Sequence, residues 1–313
     1  MLYRISHLTR YAFSESVAIS HNLAWLHPRA TRWQSLQHAH WAIQPAPAII
    51  QERRDMFGNR VHYFEVLEPH HTLVVESVSR VELLPTPTLR PAASPPWEVV
   101  KGMLATTRDP DLLLEQHFLL DSPLVRRSSD LASYAAASFP DRRPFVEGVL
   151  DLMERIYKDF TYLPNATTVS TPLEETLRRR QGVCQDFAHI AIGALRSLGL
   201  AARYVSGYLE TLPPPGKPRL TGADASHAWF ATLLPGVGWI DLDPTNNLLP
   251  REQHITLAWG RDYSDVPPLR GVVLGGGRRP LLEVRVDVLR LDDDQERNGV
   301  SPLSNTPLVH GIA

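Results

Sequence analysis

Residues 178–200 read RRRQGVCQDFAHIAIGALRSLGL, and the fold turns on this stretch. From Cys184 onward, Phe187, Ile190, Ala191, Ala194, Leu195 and Leu198 recur at three-and-four spacing. That period predicts a helix that starts near Cys184, stops at Gly199 and buries one apolar face. A cysteine at such a start sits among backbone N–H groups without intrahelical partners, at the positive end of the helix dipole, where thiolate is favoured over thiol. The competing reading is a buried packing cysteine, the commoner fate of a lone intracellular one.

The flanks extend the pattern. Upstream, FVEGVLDLMERIYKDF (145–160) sets Val146, Val149, Leu150, Met153, Ile156, Tyr157 and Phe160 along one face, an amphipathic helix. A shorter helix is marked at both ends, with Thr171 as N-cap, Pro172 in the first helical position, Glu174 completing a capping box and Gly182 just past the end. Downstream, AARYVSGYL (201–209), SHAWFATLL (226–234) and WIDLD (239–243) read as strands, the last two joined by the turn Pro235-Gly236-Val237-Gly238. Helices followed by strands define an α+β domain.

Before residue 84 the period is two, as in VAISHNLAWL (17–26), and Phe57-Gly58-Asn59 is a hairpin turn between two strand-like runs. An antiparallel, sandwich-like β module follows from this. The Pro-rich run 85–97 is too broken for a helix or inner strand and reads as a linker. LLEVRVDVLRL (281–291) alternates again and needs a sheet to join. The expected division is a β module over 1–90, an α+β core over 91–265, and a C-terminal strand and tail over 266–313 that packs on the first module. The polar tail from Asp292 is expected to be mobile.

Composition bounds the function. The 313 residues are 43% hydrophobic and 21% charged, as in a globular protein. Lys and Arg number 32 against 34 Asp and Glu, and no basic stripe stands out, so neither nucleic acid nor an anionic membrane is an expected partner. No segment approaches the roughly 18 apolar residues of a membrane span, and the opening residues lack a signal-peptide stretch, so the reading is a cytoplasmic protein. Cys184 stands alone, which excludes an intrachain disulfide and a Cys-rich zinc site. Gly275-Gly276-Gly277 lacks the Lys-Ser/Thr of a phosphate loop. His38/His40 and His70/His71 lack partner ligands, and Asp292-Asp293-Asp294 lacks the glycine of a calcium loop. No metal and no other cofactor is expected.

His227 opens one strand of the predicted hairpin and Asp243 closes the next, so the two can meet across it. A cysteine nucleophile, a histidine base and an acid that fixes the imidazole tautomer form the logic of acyl transfer. As direct cross-strand neighbours their numbers sum to 470, which requires an odd loop or a bulge. A plain four-residue loop over 235–238 would instead pair Leu234 with Trp239. Asp241 shares a face with Asp243 and is the alternative orienting acid.

GVCQDFAH (182–189), SHAW (226–229) and WIDLDPTN (239–246) resemble the core of the transglutaminase-like, papain-type superfamily in its bacterial branch. YRISHLTRYAFSESV (3–17), DMFGNRVHYF (55–64), EPHHTLVVES (68–77) and GRDYSDVPPLRGVVLGGG (260–277) extend the resemblance over most of residues 1 to 290. It implies a papain-like fold, with the Cys-bearing helix packed on an antiparallel sheet, and a triad of Cys184, His227 and Asp243. The sequence departs from the family pattern at Asp241, where an uncharged residue is more familiar. The resemblance also implies an aromatic oxyanion donor upstream of the nucleophile. Tyr162 in FTYLPN is the candidate, beside the Cys184 backbone N–H, and it reads equally as a half-buried strand tyrosine. Gln185 and Asp186 are helix N-terminal residues of underived role, and His189 reads as a packed helix residue. The expected activity is cofactor-free attack on an amide of a peptide or protein through a thioester. Hydrolysis is preferred to transglutamination because no signature of a water-excluding lysine tunnel is visible. The rival from another class is a scaffold that keeps the fold without the chemistry. The loop Leu212–Ala223 is expected to border the groove.

Overall fold

The alternating N-terminal sequence folds around one long strand. In the computed structural model, which describes residues 1–86, 88–211 and 225–291, β1 (Leu2–Ala24) is followed by β2 (Gln34–Gln44), β3 (Ile49–Arg54), β4 (Arg60–Val66) and β5 (His70–Leu83). Their order in the sheet is β2-β5-β1-β4-β3. The first half of β1 pairs with β5 and its last residues with β4, and the register shifts between Ala12 and Val17. Leu73 and Val75 of β5 meet Phe64 and Val66 of β4 in one buried cluster with Ala24 and Leu26. The sheet is thus curled over on itself, which gives the module its two-layered character. The β3–β4 turn uses the residues the sequence offers: Gly58 has φ +74°, and Asp55 Oδ1 accepts the N–H groups of Phe57 and Asn59, both at 2.9 Å.

Helix begins earlier than the Pro-rich run suggests. α1 (Trp97–Thr106) buries Val100 and Leu104, one turn apart, and leads into α2 (Pro110–Glu115), α3 (Ser129–Ala136) and α4 (Phe145–Asp159). The face of α4 holds Val146, Val149, Met153 and Ile156 as its period requires, adds Phe145 and Leu152, and leaves Tyr157 exposed. β6 (Thr161–Tyr162), α5 (Leu173–Arg179), β7 (Gln181–Gly182) and α6 (Cys184–Ser197) follow. The cap predicted for α5 is displaced by one residue. Pro172 occupies the N-cap, while Thr171 Oγ1 accepts from Thr168 N at 2.9 Å and closes the preceding turn instead of the helix. At the other end Arg180, with φ +56°, ends α5 in the left-handed region. That frees Gly182 to pair with Tyr162 in a parallel bridge.

The core sheet comprises β8 (Ala202–Leu209), β9 (Ala225–Leu234), β10 (Gly238–Leu242) and β11 (His254–Gly260), in the order β10-β9-β8-β11. α6 packs against β8 and β9, with Phe187 and Ile190 in one cluster with Ala228 and Phe230. The exposed edge that β11 would present is closed by two amide side chains of the first module. Gln34 bonds both backbone groups of Thr256, at 2.7 and 2.8 Å, and Asn59 bonds both of Trp259, at 2.8 and 3.0 Å. Each amide substitutes for one residue of a neighbouring strand. Finally β12 (Leu269–Gly275) and β13 (Leu281–Leu291) return to β1, beside its last and first residues respectively. No helix among the described residues is long and apolar enough to cross a membrane. The loop Leu212–Ala223 and the tail from Asp292 lie outside the described residues.

Candidate active site

Cys184 is the first residue of α6, and its helix start is held by the neighbouring acid. Asp186 Oδ2 accepts the N–H of Val183 at 2.8 Å and the hydroxyl of Thr167 at 2.6 Å. Burial pushes the Asp186 carboxyl above its usual value, against those two hydrogen bonds. A Cβ on Gly182 would stand 2.6 Å from this carboxylate. The glycine and the acid of the CQD stretch therefore serve one purpose, which is to set the turn into the helix with Cys184 at its tip. Cys184 itself is half-buried and carries a free thiol.

His227 and Asp243 come from β9 and the end of β10. The pairing runs from Leu234 opposite Gly238 to Phe230 opposite Leu242. These pairs sum to 472, not 470, because a three-residue loop over 235–237 closes the hairpin with Gly238 at φ +107°. His227 and Asp243 are consequently diagonal neighbours on one face, two positions out of direct register. The diagonal still suffices: His227 Nε2 lies 2.8 Å from Asp243 Oδ2. Asp241 is directed elsewhere. It sits opposite Ala231 and accepts from Trp229 Nε1 at 3.2 Å.

Two residues that the sequence reading did not single out complete the cluster. His254 Nε2 reaches Asp243 Oδ2 at 3.0 Å from β11, and Asn246 Nδ2 reaches the same oxygen at 2.8 Å. Asp243 Oδ1 accepts the N–H groups of Thr245 and Asn246 at 2.9 and 3.3 Å. Asn246 belongs to the WIDLDPTN motif and could have been flagged as its turn residue. His254 carries no local signal, since only the pairing of β11 with β8 brings it here.

The electrostatics follow from these contacts. Burial alone would lower the His227 pKa, but hydrogen bonds to Asp243 and Cys184 and the charges on both outweigh it, and the value rises to about 10. Burial pushes Asp243 up, while hydrogen bonds from His227, His254 and Asn246 hold it well below the usual carboxylate range. Tyr162 is 51% exposed, and burial of its inner part followed by the Cys184 charge raises its phenol. His189 is enclosed, its Nε2 accepts from Tyr263 N at 3.2 Å, and burial lowers its pKa to about 4. It is a packed neutral imidazole.

Similarity to known proteins places the fold in a family. Residues 3–82 match the bacterial transglutaminase-like N-terminal region, and residues 133–244 match the transglutaminase-like superfamily. An uncharacterised protein of Mycobacterium tuberculosis is 43% identical over 305 residues, covering 93% of this chain and 94% of its own. A protein-glutamine gamma-glutamyltransferase of Pseudomonas aeruginosa is 34% identical over 119 residues, which are 36% of this chain and 18% of that protein. The crystal structure of a candidate cysteine protease from Cytophaga hutchinsonii shares the fold, with a TM-score of 0.71 at 23% identity over 93% of this chain and 92% of that one. With a curled β module joined to a helix-and-sheet core of this kind, the chain belongs to the transglutaminase-like superfamily.

Proposed function

We propose that the protein is a thiol-dependent acyl-transfer enzyme that hydrolyses amide bonds in peptides or proteins. The observation that carries the reading is His227 held between Cys184 and Asp243, with its imidazole raised to about 10. In this mechanism His227 takes the proton of the Cys184 thiol, and the thiolate attacks the amide carbonyl carbon and forms a C–S bond while the carbonyl electron pair moves to the oxygen. His227 gives its proton to the departing nitrogen, the C–N bond breaks, and a thioester remains. Water then attacks the thioester with His227 as base, releasing a carboxylic acid and the thiol. Asp243 orients His227 and balances its charge, and Asp241, committed to Trp229, takes no part in this.

The oxyanion calls for donors already in place. The backbone N–H of Cys184, at the start of α6, is one. Tyr162 is proposed as the second, because its backbone pairs with Gly182 and its raised phenol stays protonated at neutral pH. Cys184 is half-buried and Tyr162 half-exposed, which supports access of water to the thioester and so hydrolysis over transfer. Transfer to an amine is the second reading, favoured by the similarity to the Pseudomonas aeruginosa gamma-glutamyltransferase over part of the core.

The experiment supplies a glutamine-containing protein with excess dansylcadaverine, using wild type and Cys184→Ala. Cleavage or deamidation that depends on Cys184, without incorporated dansyl, supports hydrolysis. Incorporation without cleavage replaces it with transfer, and no Cys184-dependent product with any member of a broad peptide panel favours the scaffold.

A further inference from the structure

The sheet face that carries His227 and Asp243 continues, two residues at a time, through Trp229 on β9, Trp239 and Asp241 on β10 and Arg203 on β8. Between this face and the first module lies a cavity of about 430 Å³, closed on the module side by Trp33, Gln34 and Leu83 among others. That volume falls in the range of small-molecule sites.

One wall holds a guanidinium with one buried donor left unpaired among the described residues. Arg203 is 5% exposed, and its Cζ lies 4.2 Å from the Trp239 ring centroid and 3.7 Å from that of Trp259. The rings cover its flat faces, so any acceptor must come to its edge. Arg203 Nε is buried without a hydrogen-bond partner among the described residues, and so is the neighbouring Trp239 Nε1. Asp241, the first of the acids acting on Arg203, is already engaged by the Trp229 indole. Arg32 and Arg251 also line the cavity. Two enclosed donors, and three arginines against one carboxylate in the lining, call for an acceptor that is itself negative.

We propose that this cavity binds a carboxylate carried on a flat apolar body, the carboxylate turning the enclosed Arg203 Nε–H and Trp239 Nε1–H toward it and the body lying against the tryptophan walls. Two sources share this chemistry: a free aromatic acid, or the C-terminal carboxylate of a peptide ending in an aromatic residue. Burial lowers the Arg203 pKa only to about 9, so the guanidinium keeps its charge at neutral pH. The site also touches the catalytic cluster. Trp229 and His254 line it, and their rings lie 6.1 and 5.8 Å from that of His227. Binding nevertheless requires nothing of Cys184, so the inference stands apart from the proposed reaction.

The test is calorimetric titration of the intact protein with phenylacetate and with N-acetylglycylphenylalanine, each against its carboxamide. At least one acid is expected to bind with a dissociation constant of about 1 mM or tighter. The matching amide, and the acid on Arg203→Gln or Trp239→Phe, are expected to bind at least about tenfold more weakly. Trp239→Phe keeps a ring in place while removing the donor, so it decides the matter if Arg203→Gln does not fold. The tighter acid identifies the source. Equal binding of acid and amide, unchanged affinity in the variants, or no saturable binding by either acid up to about 10 mM would overturn the site.

Discussion

Asp243 receives both imidazoles, of His227 and His254, on a single oxygen, with Asn246 as a third donor, so this acid stays ionised in a buried place. The consequence for His227 has a definite sign. Its pKa is raised from 6.5 to about 10, so the stabilisation it supplies is complete below 6.5 and fades as the pH rises through 10. The reaction as proposed also needs this proton for the leaving nitrogen. The alkaline limb of kcat/KM is therefore expected near pH 10 in wild type, and in Asp243→Asn it should fall by pH units toward 6.5, with the rate at neutral pH lowered about a hundredfold or more. An unmoved limb would remove Asp243 from the orienting role. His254→Phe deletes one hydrogen bond to a buried charge and should cost about 1.5–3 kcal/mol in urea unfolding. The alkaline limb should stay at or above its wild-type position in this variant, because Asp243 remains ionised beside His227.

Elements make these contacts possible, and some were legible in the sequence while others were not. The Cys184 helix could be read because its period is clean and Gly199 ends it. The 226–243 hairpin could be read because turn residues separate two strand-like runs. β11 could not, since HITLAWG is almost wholly buried and a bulge between Thr256 and Ala258 breaks its alternation. His254 was invisible for the same reason. α1 was masked by the prolines before it and shows only the pair Val100 and Leu104 as a signal. The register of the hairpin needed the loop itself, because a change of one residue there separates direct from diagonal neighbours. Two substitutions test element-scale claims. Asp186→Ala removes the acceptor at the start of α6 and should cost about 1 kcal/mol by chemical denaturation, with slower alkylation of Cys184. In Gly207→Ala the new Cβ would lie 2.3 Å from the Ile255 carbonyl oxygen and 2.4 Å from the Trp229 ring, next to His227. Backbone cannot yield there, so a loss of about 3 kcal/mol or more is expected in the same measurement.

At the scale of the molecule, the first module is bound to the core by more than contact. Tyr3, Ile5, Val81 and Leu83 share a buried cluster with Phe187 and Phe230, and the amides of Gln34 and Asn59 close the β11 edge. Asn59→Ala would leave the buried backbone groups of Trp259 unpaired, at about 1–3 kcal/mol. Because the cluster is continuous, unfolding followed by far-ultraviolet circular dichroism and by tryptophan fluorescence should still coincide in one transition. Separate transitions would show the module and core to be independent. The proposed chemistry rests on the sulfur at the meeting point of helix and sheet, and Cys184 is the only cysteine in the chain. Total thiol alkylation therefore reads this one site. The most direct measurement is the rate of iodoacetamide labelling near neutral pH in wild type and in His227→Ala. Rapid stoichiometric labelling that slows strongly in the variant is the predicted result. A sulfur unreactive in the folded wild-type protein, or equally reactive without His227, would contradict the account.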